Sequence, residues 1–281
     1  MVLAKNPNFH TEYYPSEAYP DADIQTLLMD AGKPLPLTDK VIFSLEKESI
    51  PYWNKFLQGY YDVSGISSDS FDQAVSFSAQ GDVGLTNNMI ARGIGLQTAV
   101  TTSTYYFAFN MLDNVVGGDS DKTRKLRHAI SIVMDYEEYI SIFQNGRGVP
   151  AQSIFGHVAG KQGMNPVVYN WRDGLRRRTV AEARELLAEA GYPNGLDPAT
   201  GKPLVLYFDT MDSGPDSKAR LNWLRKQFDK LNIQLVIRST DYNRFQEKMR
   251  NGNAQMFMWG WNADYPDPEN FLFLLYGKNA K

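Results

Sequence analysis

PLVLYFDTMDSGPDSKARLNWLRKQFDKLNIQLVIRS, residues 203–239, decides the fold class of this chain. Its two ends, PLVLYFD (203–209) and IQLVIRS (233–239), are short runs rich in branched and aromatic residues, as strands are. Between them Leu221, Leu224, Phe228 and Leu231 recur at steps of three and four, which puts them on one side of a helix. The pattern continues with a helix around Tyr242 to Arg250 and a third apolar run, AQMFMWGW (254–261). A β-α-β-α-β order predicts an α/β layer structure with helices packed on a sheet.

Working outward, Thr179 and Glu182 have the spacing of a capping box. They precede a helix with Val180, Ala183, Leu186 and Leu187 on one face, and Gly191 is placed to end it. In DKTRKLRHAISIVMDYEEYISIF (121–143), Leu126, Ala129, Ile130, Val133 and Met134 follow the helical period, and Asp135 with Glu138 marks a second helix that ends at NGRG (145–148). Tyr105 to Phe109 reads as a strand, and residues 146–178 read as a long connection with weak pattern. Nearer the N-terminus, a strand at Val41 to Leu45, a helix over Ile50 to Gln58 and a strand at YYDVSGI (60–66) suggest a small βαβ unit, followed by helix near Asp69 to Gln80. The first forty residues read as irregular surface chain.

Composition narrows the function classes. A formal charge of -3 gives no basic footprint, so nucleic acid is not an expected partner. With no cysteine there are no disulfides, thiolate nucleophiles or sulfur-based zinc sites. The opening MVLAKNPNFH lacks the apolar core of a signal peptide, and no run approaches the roughly 18 apolar residues of a membrane span. Aromatic residues, at 13%, are plentiful enough to serve ligand contact as well as the core.

Tests for chemistry return little. His10, His128 and His157 lack paired spacing, so neither metal nor cofactor is expected. SLEK at Ser44 to Lys47 spells a serine–lysine motif but falls in a predicted strand, and RGIGLQT (92–98) offers Gly93 and Gly95 without a phosphate-loop lysine. The carboxylates of WGWNADYPDPENFL (259–272) remain. Asp267 and Glu269 suit a turn and a helix start, because Asp and Pro fix turn backbones. Asp264 follows a strand whose alternate residues are Trp259 and Trp261, so an aromatic wall and an anion would reach one sheet edge. Such an edge is where α/β folds take ligands, and an anion there selects a cationic group. A buried tryptophan and a turn-capping aspartate are the plainer alternative. Asp264 and Asp267 as the acid and base of a carbohydrate-active hydrolase are the rival function.

Segment order carries a resemblance. AKNPNF (4–9), DKVIFSLEKESIPYWNKFLQGYYDVSGI (39–66), YYFAFNM (105–111), KLRHAISIVMDYEEYI (125–140), AEARELLAEAGYPNG (181–195) and MWGWNADYPDPENFL (258–272) resemble, in order, six segments of the family 5 extracellular solute-binding proteins of peptide, oligopeptide and nickel ABC importers. The resemblance implies a periplasmic-binding-protein-like α/β fold of type II, cluster C: a lobe with a mixed sheet flanked by helices, plus a partial second lobe. It makes residues 1–98 the tail of a discontinuous first lobe and 99–281 most of the contiguous second lobe, the chain being a C-terminal-half fragment.

The implied protein is a non-enzymatic, monomeric component of the periplasm. It captures a small molecule or oligopeptide between lobes and delivers it to permease subunits in the membrane. In peptide-binding relatives the aspartate matching Asp264 pairs with the ligand's α-ammonium, with Trp261 as a pocket wall. Trp259, Tyr265 and Asn110 complete the ligand-binding candidates, Asn110 with turn or cap duty as its alternative. Some oligopeptide binders carry an arginine where this chain has Met258.

Overall fold

The computed structural model describes residues 1–17, 28–77, 83–154, 165–170, 175–211, 214–265 and 267–279. It divides into two compact units, Met1–Val63 and Ser64–Lys281.

In the smaller unit, β1 (Val2–Ala4) pairs antiparallel with β2 (Lys40–Ile42), with Leu3 opposite Val41. Helix α1 (Ser49–Leu57) follows. The expected βαβ unit is absent: residues 60–66 form no strand, and the partner of β2 comes from the chain's first residues. A pairing across more than thirty-five residues leaves no local period to read. Because β2 ends at Ile42, Ser44 lies beyond the strand expected to hold it.

The larger unit opens with α2 (Phe71–Ala74), which passes directly into β3 (Val75–Phe77), paired antiparallel with β4 (Val83–Leu85). Val75 is where the helix expected over 69–80 stops, as its β-branched side chain suits a strand better. Helix α3 (Asn87–Ala91) ends at Gly93, whose φ of 72° is left-handed, so that glycine closes a helix rather than cradling phosphate. Residues 66–71 meet the chain near 145: Arg147 Nη1 donates to the Ile66 carbonyl at 2.9 Å, and its guanidinium lies 4.9 Å from the Phe71 ring centre.

The main sheet has four strands: β5 (Ser103–Phe109), β8 (Val205–Thr210), β9 (Gln234–Ser239) and β10 (Met256–Asn262), in the order β5-β10-β8-β9. The last three run parallel, while β5 is antiparallel to β10 with Phe109 opposite Met256 and Ser103 opposite Asn262. Between β5 and β8 lie α4 (Asp121–Val133), α5 (Tyr136–Gln144), the short pair β6 (Tyr169–Asn170) and β7 (Arg176–Arg177), and α6 (Val180–Glu189). Helices α7 (Pro215–Asp229) and α8 (Tyr242–Arg250) make the parallel crossovers. The expected fold class, a mixed sheet flanked by helices, is what the structure contains.

One sheet face meets a core of Leu126, Ile130 and Val133 from α4, Ala183 and Leu187 from α6, and Leu224 and Phe228 from α7, packed on Leu206, Phe208 and Met256. The Phe107 and Phe208 rings stack at 5.4 Å. Ser120 and Asp135 cap α4 and α5 with their side chains, and the Thr179–Glu182 box is complete. The buried face of α7 also carries Trp223 and Gln227, whose side-chain N–H groups both donate to Glu138 of α5, at 2.8 and 3.1 Å. On the opposite sheet face, α8 inserts Phe245, fully buried. Its Lys248 bonds Asp209, a carboxylate only 1% exposed that Arg238 also reaches at 2.7 Å. Two cations compensate that buried charge and fasten α8 over the strands.

Candidate ligand-binding site

Strand β10 turns alternate side chains to opposite faces of the sheet. Met256 and Met258 belong to the main core, so the position where some relatives carry arginine faces inward here. Phe257, Trp259 and Trp261 take the other face. The Trp259 ring packs 5.2 Å from Phe245 and edge-on to Phe257 at 6.5 Å, which makes it the joint between α8 and the strand. The Trp261 ring lies edge-on to Phe273 at 5.1 Å.

Beyond the strand, the described residues on either side of position 266 are tied by hydrogen bonds. The Asp267 amide donates to the Tyr265 carbonyl at 2.9 Å, and the Asp267 carboxylate accepts the Glu269 amide at 2.8 Å. This side-chain turn starts α9 (Glu269–Leu272), the expected turn-and-helix-start role of these two residues. The Tyr265 hydroxyl donates to Glu269, a bond that pushes the phenol pKa up, with the Asn270 amide acting in the opposite sense.

Asn270 is the residue on which the corner converges. It is 3% exposed, and its Oδ1 accepts both the Trp261 indole N–H at 2.8 Å and the Asp264 backbone N–H at 3.1 Å. Asp264 itself is exposed, and among the described residues no side chain bonds its carboxylate. A half-buried indole, an exposed phenol and an exposed anion are thereby held at one sheet edge. Such an arrangement can accept a cationic, partly apolar group.

Asn110 does not join this cluster. It follows β5 at the other end of the β5/β10 ladder, six residue steps or roughly 20 Å away. Its Nδ2 donates to the carbonyls of Gly252 and Ala254 at 3.0 and 2.8 Å, and its Oδ1 accepts the Leu112 amide at 3.0 Å. This is the turn duty named as its alternative. Gln255 continues the splice, accepting the Tyr207 amide at 2.8 Å and donating to Asp113 at 3.2 Å.

His128 sits half-buried on α4, where burial and then the nearby Arg124, Arg127 and Arg178 push its pKa down. His10 pairs with Glu12 at 3.4 Å, and His157 lies outside the described residues. Among the described residues no three His, Asp or Glu side chains gather as metal ligands would. Sequence reasoning missed Asn270, although the signal was present: 270, 273 and 274 form an i, i+3, i+4 stripe otherwise filled by Phe273 and Leu274, and a polar residue there asks for a partner.

These features coincide with a shared family. The chain belongs to the bacterial extracellular solute-binding proteins, family 5 Middle, whose sequence model matches residues 1–281. Among curated proteins it is 25% identical over 180 residues to heme-binding protein A of Haemophilus influenzae, which covers 62% of this chain and 29% of that protein. It is 25% identical over 171 residues to di/tripeptide-binding protein 1 of Pseudomonas aeruginosa, covering 59% of this chain and 29% of that one. The chain therefore spans about three tenths of the length of these relatives. Its fold matches the crystal structure of a periplasmic oligopeptide-binding protein/oligopeptide ABC transporter from Borrelia burgdorferi with a TM-score of 0.60 and 21% identity, over 86% of this chain and 42% of that one. These proteins are named for binding, and the rival hydrolase finds no support among them. At the residues, Asp267 is engaged in holding the turn.

Proposed function

We propose that this chain is part of the substrate-binding component of an ABC-type importer, acting as a monomer in the bacterial periplasm. It takes a peptide-like or other cationic, amphipathic solute between two lobes and hands it to a membrane permease. The observation that carries the reading is the corner after β10, where the exposed Asp264 carboxylate stands beside Trp261 and Tyr265. An α-ammonium would pair with Asp264 while the aromatic side chains cover the adjoining apolar part. The main sheet begins at Ser103, inside the lobe expected over 99–281, whereas residues 64–98, assigned to the tail of the first lobe, group with the larger unit.

Capture between lobes requires contacts from both sides, and closure follows from contacts made only in the closed state. The 281-residue chain should therefore bind a dipeptide weakly, in the millimolar range that corresponds to about 4 kcal/mol. Binding should be lost on N-acetylation of the peptide or in Asp264→Asn. Calorimetry or an NMR titration with Ala-Phe and N-acetyl-Ala-Phe tests this. Tight binding by this chain alone would contradict capture between lobes, and equal binding of both peptides would contradict the role of Asp264.

A further inference from the structure

We infer that Asn270 is the positioning residue of this site: one buried carboxamide sets the indole plane of Trp261 and the direction of Asp264 together, so that wall and anion act as one unit. The inference rests on the reading of Asp264 and Trp261 as ligand contacts. Its support is geometric. The same Oδ1 takes the Trp261 Nε1–H at 2.8 Å and the Asp264 backbone N–H at 3.1 Å. The first bond fixes the rotation of a ring already packed against Phe273, and the second fixes where the chain leaves β10.

Burial explains why this single atom matters. Asn270 is buried and the two bonds it accepts are part-buried, so an indole or amide N–H left without that acceptor loses a bond that water only partly replaces, and the corner holds its shape best while the acceptor is there. The acceptor is delivered by α9, and α9 begins where Asp267 bonds the Glu269 amide. Asn270 contributes no charge of its own, leaving the negative potential of the edge to Asp264.

The test compares Asn270→Leu, which removes the acceptor at similar volume, with Asn270→Asp, which keeps it. Trp261→Phe identifies the Trp261 indole in the proton–nitrogen spectrum of the chain's five tryptophans. In Asn270→Leu the Trp261 indole proton should move upfield, and the preference for Ala-Phe over N-acetyl-Ala-Phe should fall about tenfold or more, the loss expected of a displaced charge-assisted bond. Asn270→Asp should keep the indole proton at or downfield of its wild-type position, since a carboxylate accepts more strongly than an amide. An unmoved indole in Asn270→Leu, or an unchanged peptide preference, overturns the inference. Should Asn270→Leu fail to fold, an Asn270→Asp indole proton well upfield of its wild-type position overturns it equally. If wild-type chain shows no preference between the peptides while the indole responds as expected, the ligand reading of Asp264 fails and the positioning geometry stands.

Discussion

The two ends of the β5/β10 ladder are each held by buried or half-buried amides, and they differ in what those amides leave over. At the Asn110 end, Asn110 and Gln255 bond backbone groups of the loop before β10, the turn after β5 and strand β8, together with Asp113. That end is a splice that joins strands. At the Asn270 end one carboxamide satisfies a ring and a backbone amide, and the Asp264 carboxylate is left facing solvent. The same chemistry closes one end of the sheet and opens the other.

The comparison can be broken most forcefully through the element beside it. Phe245→Ala should remove the buried ring that seats α8 under Trp259, at a loss of about 3–5 kcal/mol by urea unfolding. If the loss is small, Trp259 is not a structural joint between α8 and the strand. Next, Asn110→Ala leaves the Leu112 amide and two carbonyls short of partners and should destabilise by about 1–3 kcal/mol without altering peptide preference. A change in preference would show the two ends to be coupled. Asp264→Asn should do the reverse, abolishing the preference for a free N-terminus and leaving the unfolding midpoint unchanged.

Glu182 offers a control away from both ends. Arg176 and then the Thr179 amide hold its carboxyl down to about 2. A depressed folded-state value means that its contribution is complete above the ordinary 4.5 and is lost as pH falls toward 2. Because the group is partly exposed, solvent screening keeps the effect near that of a helix cap, about 1 kcal/mol. In Glu182→Gln the acid limb of the stability profile should flatten by that amount, with peptide preference intact. The smallest expected change is Gly260→Ala, whose new methyl would stand 2.5 Å from the Tyr105 ring. That ring is 69% exposed and can swing aside, so stability should drop by no more than about 1 kcal/mol. A larger loss would place Tyr105 among the groups that hold this end of the ladder.

Much of the main sheet was legible because its signals are local. The runs at 203–209, 233–239 and 254–261 with their intervening helices form three strands and two crossovers, and Thr179, Asp135 and Asp267 cap or turn where their spacing says they should. The failures share a cause in non-local pairing. Residues 60–66 read as a strand but form none in the structure, whereas Val2–Ala4 read as irregular and pair with β2. Of the candidate site, Asp264 and Trp261 were named from alternation along one strand, and the structure joins them through Asn270, which alternation cannot show.

By itself, then, the sequence determined the α/β class, the helix limits set by caps, and the delivery of a tryptophan and an aspartate to one strand end, since each depends on residues within a few positions of one another. Only the tertiary structure decided the order β5-β10-β8-β9, the inward turn of Met258, the structural use of Asn110 and the binding of Trp261 and Asp264 to one amide. Those outcomes are set by which distant groups can satisfy a buried donor or fill a shared core, a condition that no window of the chain contains.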